Sequence, residues 1–148
     1  MIRMASLKIG WLSEIKDFII AFIIAVVFYQ VLTVALNTGL PIVSVYSYSM
    51  YPVLHRGDLL FVNGWDNYMI GDVIIYQTSA RAYPIVHRAI EDTGNGFITK
   101  GDNNPITDQE GFNIGPIKEN QINGRVIFGM PLLGYPKIFL DSIISVLR

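Results

Sequence analysis

The stretch FIIAFIIAVVFYQVLTVAL, residues Phe18–Leu36, decides how this chain of 148 residues is organised. Apart from Gln30 and Thr33, its side chains are aliphatic or aromatic. As an α-helix its 19 residues would extend about 28 Å, close to the thickness of the hydrocarbon core of a bilayer. The stretch therefore predicts one membrane-spanning helix.

Two other interpretations of this stretch fit less well. A core helix would have to be covered on every side, which a domain of this size can hardly do. A cleavable leader has an apolar region of about 7–15 residues and ends in a small-x-small site. The nearest such site, Thr33-Val34-Ala35, matches poorly. We therefore expect a retained anchor.

The charges that flank the anchor predict its orientation. Arg3, Lys8 and Lys16 precede it, and the next basic residue is Arg56. The positive-inside rule then places the N-terminus in the cytoplasm. The predicted parts, in chain order, are a cytoplasmic segment over residues 1–17, a membrane anchor over 18–36 and an extracytoplasmic catalytic domain over 38–148.

The composition excludes several classes of protein. With 51% hydrophobic and 16% charged residues, the chain is not intrinsically disordered. A net charge of −1 argues against a nucleic-acid partner, which would require a basic surface. Cysteine is absent, so there is no disulfide framework, thiolate metal site or cysteine nucleophile.

The chain beyond the anchor has the pattern of a small β-rich domain. Short apolar and β-branched runs alternate with Gly, Asn and Pro, and no helical period persists before the C-terminal segment. The predicted strands are Leu40–Tyr46, Asp58–Val62, Asp72–Tyr76, Ile85–Ile90, Phe97–Lys100 and Ile122–Phe128. A short helix follows the last strand, in an apolar stretch too short to span a membrane. The fold class is therefore mainly β with one N-terminal transmembrane helix.

One predicted hairpin brings two polar residues together. Asn95-Gly96 is a favoured hairpin turn because both residues tolerate positive φ. If the turn centres there, or on the four residues Thr93–Gly96, His87 falls opposite a residue between about 102 and 104. The spacing therefore brings His87 towards Asp102.

The candidates for a serine nucleophile cluster in Ser44–Ser49, in a segment that leaves the membrane and ends at Pro52. An activated serine needs a base within hydrogen-bond reach, and the chain has only two histidines, His55 and His87. Ser47 and Ser49 stand two apart in an exposed strand-to-turn segment, so they would face the same side. One could attack a carbonyl while the other donates to the oxyanion. Serines at a strand end are also common turn formers.

Four segments of this domain, in chain order, carry a family resemblance. They are SYSMYP (Ser47–Pro52) with HRGDLLF (His55–Phe61), GDVI (Gly71–Ile74), PIVHR (Pro84–Arg88), and TKGDNN (Thr99–Asn104) with Asp108 behind it. They resemble the serine box, the next strand, the histidine box and the acidic box of type I signal peptidases, in the branch of archaea and the endoplasmic reticulum. The ordered set behind a membrane anchor is a specific signal.

The resemblance implies a membrane-bound serine endopeptidase that removes signal peptides from translocated preproteins. Ser49 would be the nucleophile, and His87 would be the base in place of the lysine of most bacterial enzymes. The Ser47 hydroxyl and the Ser49 N–H would form the oxyanion hole. No metal or organic cofactor is implied. The partners would be signal peptides, the lipid bilayer and, as in some relatives, other subunits of a secretion complex.

Two aspartates compete for the role of orienting His87. The hairpin favours Asp102 by proximity, whereas the family's triad favours Asp108. We expect Asp108 to orient the histidine and Asp102 to support the site. Without the family, Asp102 in Gly-Asp-Asn would be read as a turn residue.

The sequence also departs from the family pattern. Tyr48 replaces the usual glycine between the two serines, Tyr51 replaces a frequent acidic residue, and Thr107 stands where a first aspartate often precedes the second. These changes concern the shape of the cleft more than the chemistry. The alternative function is a non-enzymatic anchored subunit of a secretion or processing complex, which would need neither Ser49 nor His87. A self-cleaving repressor would carry a DNA-binding region instead of an anchor.

Overall fold

The computed structural model describes residues 3–65 and 67–146, and the chain divides into two compact units at the Ala35–Leu36 bond. The first unit is one helix, α1 (Arg3–Ala35), which begins well before the predicted anchor. Its part Trp11–Ala35 contains an 18-residue stretch with a mean hydropathy of 2.6, none of which is buried, so it is not a core helix. Within the described residues, α1 alone is long and apolar enough to cross a membrane.

The second unit is mainly β, which confirms the predicted fold class. Its strands are β1 (Ile42–Ser44), β2 (Leu59–Asn63), β3 (Val73–Tyr76), β4 (Ile85–Asp92), β5 (Phe97–Lys100) and β6 (Ile122–Met130). Its helices are α2 (Asp108–Phe112), a 3₁₀ turn (Glu119–Gln121) and α3 (Tyr135–Val146). Every predicted strand overlaps an observed one, and the predicted C-terminal helix is present.

The six strands form one antiparallel sheet in the order β1-β2-β6-β3-β4-β5. The last strand, β6, lies between β2 and β3. Phe61 of β2 pairs with Phe128 of β6, and Ile74 of β3 pairs with Arg125 of the same strand. The sheet is therefore complete only when the C-terminal strand has inserted between strands formed much earlier in the chain.

The β4–β5 hairpin differs from its prediction in register. Its loop is the four-residue version, Thr93–Gly96, with the Thr93 N–H donating to the Gly96 carbonyl over 3.0 Å. A bulge at Ile90 then shifts the pairing by one residue, so that Arg88 faces Lys100. Hydrophobic spacing alone does not reveal such a bulge, and the expected alignment of His87 with a residue between 102 and 104 is not formed.

The short helix α2 was not predicted, because five residues are too few to show a helical period. Its N-terminus carries a capping box. The Thr107 hydroxyl accepts from the Glu110 N–H over 3.2 Å, and the Glu110 carboxylate accepts from the Thr107 N–H over 3.1 Å. The spacing of Thr107 and Glu110 is the local signal for this helix, whose first residue is Asp108.

Substitution of Gly124 in β6 tests how closely β6 approaches β2. Its φ is 151°, and a Cβ there would lie 2.6 Å from the Asn63 carbonyl oxygen. We expect Gly124→Ala to lower the free energy of unfolding by at least about 2 kcal/mol, measured by denaturant unfolding of the detergent-solubilised chain. Gly115→Ala, which meets nothing within 4 Å, is the control. Equal stability of the two variants would contradict the prediction.

Candidate active site

The serine segment, which we define as residues 45–51, carries two serine hydroxyl groups between two buried apolar residues. Val45 and Met50 are only 4% and 1% exposed and pack into the core. Between them, the Oγ atoms of Ser47 and Ser49 lie 3.0 Å apart. The two serines therefore share a face, as predicted, although the segment forms a turn rather than a strand.

A histidine lies against the second serine. The Nε2 atom of His87 is 2.9 Å from the Oγ atom of Ser49. His87 stands on β4 between Ile85 and Ala89, and these three alternate residues are buried on one face of the strand. The period of two along the strand thus aims the imidazole at the serine segment.

A buried carboxylate lies on the other side of the imidazole. The Nδ1 atom of His87 is 2.8 Å from Oδ1 and 2.7 Å from Oδ2 of Asp108. The Tyr76 and Thr99 hydroxyls both donate to Oδ2 of the same carboxylate over 2.7 Å. Asp108 is 2% exposed, so these side chains replace the water that an ionised carboxylate would otherwise require.

The surroundings of Asp108 keep it ionised. Burial by itself would raise the pKa of this carboxyl, but hydrogen bonding and charge from His87, with further hydrogen bonds from Tyr76 and Thr99, hold the pKa below its ordinary value. Burial also raises the pKa of the Tyr76 phenol, which stays a donor. An ionised carboxylate only accepts, so His87 must carry a proton on Nδ1, and its Nε2 is free to accept from Ser49 when the ring is neutral.

The other candidate, Asp102, contacts the residue next to the histidine. Its carboxylate accepts from Nε and Nη2 of Arg88 over 2.8 and 2.6 Å. This pairing raises the pKa of the Arg88 guanidinium, whose Nη1 also donates to the Gly71 carbonyl over 2.7 Å. The structure thus brings Asp108 to His87, whereas Asp102 joins β4 to the loop that follows β5.

That loop also holds the serine segment from behind. The Asn103 N–H donates to the Ser49 carbonyl over 2.8 Å, and the Asn103 side-chain amide donates to the Tyr48 carbonyl over 3.2 Å. Gly101 lies so close that a Cβ on it would be 2.6 Å from the Ser49 carbonyl oxygen. The acidic motif therefore positions the backbone of Ser49 as well as supplying charged groups.

Three contributors to the site were missed by sequence reasoning. Thr99 lies inside the TKGDNN motif at an inward-facing position of β5, so the motif could have indicated that Thr99 belongs to the site. Asn103 lies in the same motif. Tyr76 only ends an apolar strand, and no local pattern marks it as a partner of Asp108.

The second histidine, His55, is an exposed turn residue, as predicted, with its ring edge-on to Tyr51.

These contacts define a class of protein. A serine hydrogen-bonded to a histidine, with a buried carboxylate behind that histidine, is the arrangement of serine hydrolases. It lies here in a β domain that follows an apolar helix. The class is therefore that of serine hydrolases.

Comparison with known proteins identifies the family. No family model matches the chain. Relatives named signal peptidase complex catalytic subunit SEC11 occur in Metarhizium acridum (33% identical over 139 residues, 88% of this chain and 81% of that protein), Zygosaccharomyces rouxii (38% over 127 residues, 80% and 76%) and Saccharomyces cerevisiae (35% over 140 residues, 88% and 84%). The chain belongs to the SEC11 family of signal peptidases, which confirms the predicted branch.

Acidification is expected to destabilise the domain through Asp108. Its folded pKa lies below the ordinary value of 3.8, so the carboxylate stabilises the fold above that value and the contribution is lost as the pH falls through the folded pKa. Between about pH 5 and about pH 2 the parent chain should lose more unfolding free energy than Asp108→Asn, measured by urea unfolding at each pH. Equal losses in the two chains would contradict this role of Asp108.

Proposed function

We propose that this chain is a membrane-bound serine endopeptidase that cleaves N-terminal signal peptides from translocated preproteins, with Ser49 as nucleophile. One observation carries the proposal. The Ser49 hydroxyl, the His87 imidazole and the buried Asp108 carboxylate form a continuous hydrogen-bonded chain, with contacts of 2.9 and 2.7 Å. The relatives with this domain are named as catalytic subunits of a signal peptidase complex.

The chain of contacts supports a standard acyl-transfer sequence. The Ser49 Oγ attacks the scissile carbonyl while His87 Nε2 takes its proton. Asp108 stays ionised and stabilises the imidazolium that forms. His87 then returns the proton to the leaving amine. Water attacks the acyl-enzyme in the second half-reaction, with His87 again as the base, and Ser49 is regenerated.

The oxyanion would be stabilised by two donors on the serine segment. These are the Ser47 hydroxyl, 3.0 Å from the Ser49 Oγ, and the Ser49 main-chain N–H. Both lie close to the attacking oxygen and so can reach the substrate carbonyl oxygen, on which the negative charge develops. Removing one donor of this kind raises the barrier by roughly 3–4 kcal/mol.

The anchor and the domain have separate roles in substrate capture. With α1 as the one described helix able to span a bilayer, the chain is a single-pass membrane protein. We place residues 1–17 in the cytoplasm, the anchor over 18–36 and the catalytic domain on the opposite side, because the basic residues precede the span. Anchoring raises the effective concentration of the domain near translocated signal peptides.

The substrate would bind in an extended form, with small residues at the first and third positions before the cut. Strand addition supplies affinity through the backbone, while shallow pockets select side-chain size. The lipid bilayer is a second partner. Because the relatives are named as subunits of a complex, we also propose that further secretion-complex subunits bind this chain.

The nucleophile and base are tested by substitution. Ser49→Ala and His87→Ala should each lower cleavage of a preprotein in proteoliposomes by about 10⁴-fold or more, because each removes a reacting group. The matched control is His55→Ala, which removes the exposed histidine and should retain nearly full activity. Normal cleavage by Ser49→Ala would overturn the assignment of the nucleophile, whereas absence of cleavage by the parent chain would favour the non-enzymatic alternative.

The two aspartates are separated by the same assay. Asp108→Ala should lower the rate by about 10³–10⁴-fold, because His87 loses the group that fixes its tautomer. Asp102→Ala should cost about tenfold or less, because Asp102 reaches the site only through Arg88 and the loop behind Ser49. The reverse order of the two effects would assign the orienting role to Asp102.

A further inference from the structure

The outer part of the serine segment has few backbone tethers. Val45 exchanges main-chain hydrogen bonds with the two residues that precede β2, donating to the Asp58 carbonyl and accepting from the Gly57 N–H, both over 2.9 Å. The next two residues, Tyr46 and Ser47, make no main-chain hydrogen bond within the described part of the chain. The Ser47 hydroxyl lies 3.0 Å from the Ser49 Oγ and accepts from the Ser49 N–H over 3.5 Å, but the backbone that precedes it needs another contact to fix it to the fold.

The side chain of Tyr46 supplies that contact. Its hydroxyl donates to the Oδ2 atom of Asp141, which is the only acidic residue of α3. Partial burial and the Asp141 carboxylate raise the pKa of the Tyr46 phenol to about 12. The phenol therefore remains protonated, and so able to donate, throughout the physiological pH range.

The helix that carries Asp141 is itself fixed to the Gly57-Asp58 pair. The Gly134 N–H donates to the Gly57 carbonyl over 2.7 Å, and a Cβ on Gly134 would lie 2.8 Å from the Asp58 carbonyl oxygen. Ile138 of α3 is 9% exposed, and Asp141 follows it by three residues, on the same side of the helix. The N-terminal end of α3, and through the helix Asp141, is thus fixed to Gly57 and Asp58, the two residues that also bind Val45.

We propose that Asp141 is a positioning residue that acts through Tyr46 to hold the Ser47 hydroxyl in place as the oxyanion donor. The contacts form a closed ring: Val45 and the start of α3 are both bound to the Gly57-Asp58 pair, and Tyr46 is bound to α3. Ser47 directly follows Tyr46, and its Oγ must be placed within a fraction of an ångström to stabilise the oxyanion. This inference rests on the proposed function and adds the C-terminal helix to the catalytic support.

The proposal predicts a particular kinetic signature. An oxyanion donor acts in the transition state rather than in substrate binding, so its misplacement lowers kcat with little change in KM. We expect Tyr46→Phe and Asp141→Leu each to lower kcat for preprotein cleavage about tenfold, with KM changed by less than about twofold. Asp141→Asn keeps an oxygen that accepts from Tyr46, so it should retain most of the activity.

Two variants serve as matched controls. Ser142→Ala changes the residue that follows Asp141. The Ser142 hydroxyl donates to the Phe139 carbonyl within the same helix. Tyr83→Phe removes the hydroxyl of another exposed tyrosine. Both should cleave at the parent rate, and the melting temperature of every variant is measured alongside. If Asp141→Leu does not fold, Tyr46→Phe, which loses a single oxygen atom, decides the question.

A double-variant cycle separates positioning from a general structural effect. In a Ser47→Ala background the oxyanion donor is absent, so adding Tyr46→Phe should produce no further loss of kcat. An unchanged tenfold loss in that background would overturn the proposal, as would full activity of Tyr46→Phe alone. If the parent chain itself cleaves no preprotein, the proposed function fails instead.

Discussion

A buried carboxylate is the constraint on which the rest of the domain depends. Asp108 is ionised in an almost fully buried place, and an isolated charge there would be strongly destabilising. Three partners offset this, and each comes from a different strand: Tyr76 from β3, His87 from β4 and Thr99 from β5. The register of three strands and the start of α2 must therefore all be correct before the carboxylate is satisfied.

The same constraint sets the chemistry. Because the carboxylate can only accept, it decides which nitrogen of His87 is protonated, and this leaves the other nitrogen facing Ser49. The serine segment is in turn held from two sides, by Asn103 behind Ser49 and by Asp141 through Tyr46. Segments far apart in the chain thus converge on one turn that has little regular structure of its own.

The limits of prediction can be located in particular residues. The six strands were predicted because apolar alternation and turn residues are local signals. The β4–β5 register was not, because a bulge at Ile90 leaves no mark in the hydrophobic pattern. The preference for Asp108 over Asp102 came from the family resemblance, since spacing favoured Asp102. The hydroxyl of Tyr76 was missed because its partner lies 32 residues away.

The sequence by itself determined the membrane anchor, the β-rich character of the domain, and the presence of one serine, histidine and aspartate set in the order of a known family. These are properties of composition, local periodicity and short motifs. Only the tertiary structure decided which aspartate reaches His87, which residues satisfy that aspartate, and that α3 contacts the serine segment. Such contacts depend on strand register and on the insertion of β6 between β2 and β3, and no local pattern encodes them.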